Sequence, residues 1–78
     1  MIFQQHCSSL GIQLLRDDIR FIKSQLLGIP KQMHRQVLQQ YADTWLRAMG
    51  SCGIVYRKQN IGRKVANVEL REHLNGKD

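Results

Sequence analysis

Apolar positions along this chain recur mostly at spacings of three and four, the period of an amphipathic helix. Ile12, Leu15, Ile19, Ile22 and Leu26 follow the series 3, 4, 3, 4 and share one face, which Leu10, Leu14 and Phe21 widen. Ser8 or Ser9 offers a hydroxyl to the first free N–H groups, and Gly28 offers a left-handed stop, so a first helix is predicted over about 9–27. Gly11 weakens its first turn by about 1 kcal/mol relative to alanine and argues for a later start. "GIPKQM" then breaks and restarts the chain, because Pro30 has no N–H to donate and its fixed φ suits a first helical position. Met33, Val37, Leu38, Tyr41, Ala42, Trp45, Leu46 and Met49 form a broad apolar arc, which predicts a second helix over about 30–49 with Gly50 just past its end. A link this short predicts that the first two helices pack antiparallel. "GSCGIVYR" reads as a loop pinned to the core by Ile54, Val55 and Tyr56, and a third helix follows over about 57–74, before "NGKD". The expectation is an all-α, three-helix domain spanning residues 1–78.

The third helix carries an unusual pattern. Wound at about 100° per residue, Ile61, Val65 and Val68 fall on one side and Ala66, Leu70 and Leu74 nearly opposite. One stripe packs on the other helices. The second is left for the end of the bundle, a second chain or a different protein. Between them Arg57, Asn60, Lys64, Asn67 and Arg71 line up at spacings of 3, 4, 3 and 4, with Glu69 and Glu72 turned to the other side. Arginine supplies forked donors suited to phosphate or carboxylate, and asparagine both donates and accepts. A helix lying along a phosphate backbone presents such a row, and so does a solvated helix face.

Size and charge sharpen this. A 78-residue chain that is 42% hydrophobic is ordinary for a globular domain. At this length only about 60% of the unfolded chain's surface is buried, which favours a homodimer. The formal net charge is +6, and residues 57–64 hold four basic side chains and no acidic one. Such an excess attracts polyanions, and it also serves plain solubility. Cys7 and Cys52 are too few for a disulfide framework and are expected to be reduced and partly buried. No apolar run approaches the length of a membrane span, and the N-terminal stretch lacks a basic leader, so a cytoplasmic protein without membrane contact is expected.

Candidate chemistry is sparse. His6, Cys7, His34, Cys52 and His73 form no Cys-x-x-Cys or His-x-x-x-His pair, so no metal or cofactor is expected. Asp17 and Asp18 are adjacent and diverge on a helix, which suits local pairing, Asp17 with Arg20 or Asp18 with the backbone at the helix start, rather than acid catalysis. No catalytic residue is indicated, and an enzyme is not expected. Neither helix-turn-helix, zinc-finger nor aromatic RNA-binding spacing is present, so sequence-specific readout has no support. Tyr41 and Trp45 suit the core, or alternatively a protein interface. Arg35, Gln39 and Arg47 mark the polar side of the second helix.

Within "GRKVANVELRE", Gly62, Arg63, Lys64, Ala66, Asn67, Leu70 and Arg71 form a Gly-Arg-basic-x-Ala-Asn run ahead of a Leu-Arg pair. This resembles short helical proteins encoded by phages and other mobile elements. The resemblance implies a mobile-element origin and action on nucleic acid or on host machinery. Two expectations follow. In the first, the protein is a small nucleic-acid-binding accessory or regulatory factor for DNA or RNA. Arg57, Lys58, Arg63, Lys64 and Arg71 then contact phosphates, and Asn60 and Asn67 add hydrogen bonds. In the second, it inhibits or redirects a host protein complex by docking on an acidic surface through Leu70, Leu74 or Trp45.

Overall fold

The computed structural model describes the backbone of residues 2–51, 53 and 57–75, and the side chains of those residues other than 2 and 73–75. Among these residues it is all-α, with four helices, α1 Ile2–Ser9, α2 Arg16–Leu26, α3 His34–Ser51 and α4 Lys58–Asn75, and a 3₁₀ turn over Lys31–Met33. The loop anchors Ile54, Val55 and Tyr56, together with Cys52, lie outside the described residues.

The expected first helix is two helices. Gly11 has φ +86°, the one positive φ among the described residues. Around it the Ile12 N–H donates to the Cys7 carbonyl at 2.9 Å and the Gly11 N–H to the Ser8 carbonyl at 3.1 Å. These two bonds define a Schellman stop, with Ile12 and Cys7 buried together beneath it. Ser8 and Ser9 therefore close α1 instead of opening a longer helix. The chain then runs extended through Leu15 (φ −89°, ψ 165°) before α2 starts. Asp18 accepts the Leu15 N–H at 2.9 Å, the carboxylate half of a capping box, as the expected pairing with the helix start requires. Leu15, counted in the apolar stripe, is 56% exposed because the extended segment turns it outward.

Gly28 does not stop α2 with a left-handed turn. Instead the His34 Nε2–H donates to two carbonyls beyond or at its end, Leu26 at 2.9 Å and Ile29 at 2.8 Å. Pro30 opens the 3₁₀ turn, with Met33 N–H donating to its carbonyl at 2.9 Å, and that turn feeds directly into α3. α3 continues through Gly50 to Ser51.

The dominant packing is α3 against α4, and α2 rests chiefly on α4 rather than on its sequence neighbour α3. Trp45 meets Gln59, Tyr41 meets Asn67, and Val37 shares a groove with Ala66 and Leu70, so α3 and α4 run antiparallel. Gly62 makes their approach possible, because a methyl there would lie 2.6 Å from Trp45 Nε1 and 2.9 Å from Cγ. The core comprises Ile12, Ile22, Ile29, Val37, Tyr41, Ala42, Trp45, Ala66 and Leu70, closed by Phe3 and Cys7 of α1. Phe3 sets its edge against Tyr41 with ring centroids 6.2 Å apart. None of the described helices is long and apolar enough to cross a membrane.

Candidate nucleic-acid interface

α4 has an inner side and an outer side, and they divide the residues singled out above. The inner side is built on Gly62, Ala66 and Leu70, spaced four apart, which are buried against α3. Beside them Arg63 turns into the molecule. Its Nε donates to the buried Asp18 carboxylate at 2.7 Å, Nη2 to the Gln13 carbonyl at 3.0 Å, and Nη1 to Asn60 at 2.8 Å. Its guanidinium also lies 5.3 Å from the Trp45 ring centroid. Asn67 accepts the Tyr41 hydroxyl and donates weakly to Asp18 at 3.4 Å. Arg63 and Asn67 thus hold α2 and α3 to α4.

Gln59 completes this inner network and was not singled out from the sequence. Its Oε1 accepts the Trp45 indole N–H at 3.1 Å and the Gln13 N–H at 3.0 Å, while its Nε2 donates to the Gly11 carbonyl at 2.7 Å. A glutamine is suited to this, since it donates and accepts at once. On the other flank of α4, Thr44 donates to Glu69 at 2.6 Å and accepts from Arg47 at 3.2 Å. Every described side-chain nitrogen and oxygen that is fully buried has a partner.

The outer side carries what remains of the basic row. Arg57, Asn60, Lys64 and Arg71 are exposed and Lys58 is half-buried. Neither Lys64 nor Arg71 pairs with a carboxylate among the described residues, and the Arg71 guanidinium lies 5.8 Å from the Phe21 ring centroid of α2. Next to the row runs the second apolar stripe, with Ile61 37%, Val65 43% and Val68 40% exposed. The free stripe is therefore this one, while Leu70 and Trp45 are buried within the protein's own core and offer no anchor to a partner. The side chain of Leu74 lies outside the described residues.

Burial pushes the Cys7 thiol up to about 11, which keeps it protonated and unreactive near neutrality. Burial, reinforced by the Asp18 charge, likewise pushes the Tyr41 phenol up. Among the described residues no three His, Cys, Asp or Glu side chains come together as a metal site would require. No family model, no curated protein and no solved structure matches this chain.

Proposed function

We propose that this protein binds nucleic acid through the outer side of α4, with Lys64 and Arg71 against phosphates, Asn60 adding a hydrogen bond, and Arg57 and Lys58 extending the contact toward the helix start. The observation that carries this reading is the charge left over after folding. Arg63 is consumed by Asp18, yet Lys64 and Arg71 remain exposed without a carboxylate partner among the described residues. Seven residues advance a helix by about 10.5 Å, so Lys64 and Arg71 lie on one line of α4 far enough apart to meet separate phosphates, with Arg57 one step earlier on the same side. Contacts of this kind give affinity and position without base readout.

Binding of labelled duplex DNA and single-stranded RNA, measured by anisotropy over a series of salt concentrations, tests the proposal. Four phosphate contacts give a slope of log affinity against log salt near about −3.6 on duplex. Lys64→Ala and Arg71→Ala each flatten it by about one unit; Lys64→Ala leaves the melting temperature unchanged, and Arg71→Ala lowers it by no more than the loss of its Phe21 contact, about 0.5–1 kcal/mol. Affinity that does not respond to salt rules the reading out.

A further inference from the structure

The exposed stripe of α4 has more order than its three apolar residues show. Lys58, Ile61, Val65, Val68 and Glu72 fall at spacings of 3, 4, 3 and 4, the two-residue-per-heptad seam of a helix that pairs with another helix. Val65 is its midpoint. Lys58 lies seven residues to one side and Glu72 seven to the other, so the seam carries a positive charge at one end and a negative charge at the other, about 10.5 Å from the centre in each direction. About 40% of each of its three apolar side chains stays exposed among the described residues, on a side of α4 turned away from the Gly62–Ala66–Leu70 face.

We infer that the seam is occupied by a second copy of the same chain, α4 against α4 in antiparallel orientation about a two-fold axis passing near Val65. The charge pattern selects both the partner and its direction. Antiparallel pairing brings Lys58 of each copy level with Glu72 of the other, giving two symmetry-related opposite-charge contacts at the ends of an Ile61–Val65–Val68 centre. Parallel pairing sets Lys58 against Lys58 and Glu72 against Glu72, which is repulsive at both ends. A groove of about 470 Å³ beside the stripe, lined by Ala48, Ser51, Ile61 and Val65 among others, leaves room for the flank of the opposing helix.

The two-fold axis has a further effect. In an antiparallel pair the axis stands perpendicular to both helices, so a row displaced to one side of the contact appears on that same side in both copies. Lys64 and Arg71 of the two copies therefore share one face. The pairing does not depend on the nucleic-acid reading, but that reading gains from it a surface twice as wide, on which Lys64 and Arg71 of both copies carry the phosphate contacts while Lys58 is engaged at the seam.

Sedimentation equilibrium on the full chain between about 10 and 200 µM tests the pairing without any ligand. A mass twice the 9.1 kDa of the monomer is expected. Val65→Asp yields a monomer with unchanged helical circular dichroism, because Val65 is 43% exposed and contributes little to its own core. Lys58→Glu and Glu72→Lys each weaken the dimer about tenfold, by turning two attractive contacts into repulsive ones. The Lys58→Glu/Glu72→Lys double variant restores the wild-type constant to within about twofold. A wild-type monomer throughout this range overturns the inference, as does a double variant no tighter than either single one. Salt-sensitive DNA binding by the Val65→Asp monomer would leave the proposed function standing while the dimer is judged on its own data.

Discussion

Gly62→Ala is the substitution for which the structure and local propensity give opposite answers. Propensity favours it, since alanine in a helix interior is worth about 1 kcal/mol over glycine. The packing opposes it. The added methyl would sit 2.6 Å from Trp45 Nε1, 2.9 Å from Cγ and closer still to Cδ1, well inside the separation of about 3.5 Å at which carbon atoms meet. The indole cannot yield easily, because it is fully buried, its N–H is bonded to Gln59 at 3.1 Å, and Arg63 covers its face at 5.3 Å. Either α4 moves out from α3 by roughly 1 Å, an overpacking strain of about 1–3 kcal/mol, or the ring swings away and loses its hydrogen bond and cation contact, together about 2 kcal/mol. Set against the propensity gain, the net loss is about 1 kcal/mol, and the melting temperature falls by about 5 °C in a domain of this size. Thermal and urea melts followed by circular dichroism measure it, and Trp45, the single tryptophan, reports the rearrangement by fluorescence. Gly50→Ala is the control. It lies in α3 with nothing within 4 Å of the added methyl, and should raise stability by about 0.5 kcal/mol. A Gly62→Ala protein as stable as wild type would refute the close approach of α3 and α4.

Arg63→Ala should cost about 3 kcal/mol, because it strands the carboxylate of Asp18 in the interior, and Asp18→Asn somewhat less, because the amide oxygen still accepts the Leu15 N–H. Urea denaturation of these variants beside Lys64→Ala separates inner from outer cations of α4, and equal stability of all three would contradict the division. Cys7 should resist a thiol reagent at pH 8 until the protein is unfolded. Its thiol titrates near 9 when exposed but is held up to about 11 in the fold, so between these values the unfolded chain has released a proton that the native state keeps. Stability therefore declines as pH rises from about 9 toward 11, with the buried Tyr41 acting in the same direction, and a Cys7→Ser variant flattens that decline.

The two long helices were legible because their spacing persists over several turns and Pro30 breaks the chain ahead of α3, although Gly50 did not end it. α1 was not. Phe3 and Cys7 lie four apart on one face, but Gln4, Gln5 and His6 dilute so short a helix, and Ile12 happens to continue the period of α2 across the turn at Gly11. "LGI" after the serines held the correction, since an apolar residue immediately beyond a glycine is how a Schellman stop closes. The polar row of α4 misled for a different reason. Periodicity places residues on a face without saying whether that face meets water or a buried polar partner, and Asp18 lies 45 residues from Arg63. The choice between the two apolar stripes was also written in the sequence. Gly62 and Ala66 put the two smallest residues on the line that must approach Trp45, ahead of Leu70, and the β-branched Ile61, Val65 and Val68 on the other.

The bonds around the Gly11 turn set an order of events in time. A ribosome makes α1 and α2 first, yet the backbone of Gly11 and Gln13 is held by Gln59 and Arg63, 48 and 50 residues further on. Until α4 has been synthesised, the Gly11 and Gln13 carbonyls and the Gln13 N–H lack the partners that Gln59 and Arg63 supply, and Asp18 lacks its arginine. The oldest part of the chain in synthesis is thus the youngest in structure. Its helices wait for the α3–α4 pair to present a surface, and a nascent chain stalled before α4 carries an N-terminal third that is open to proteases.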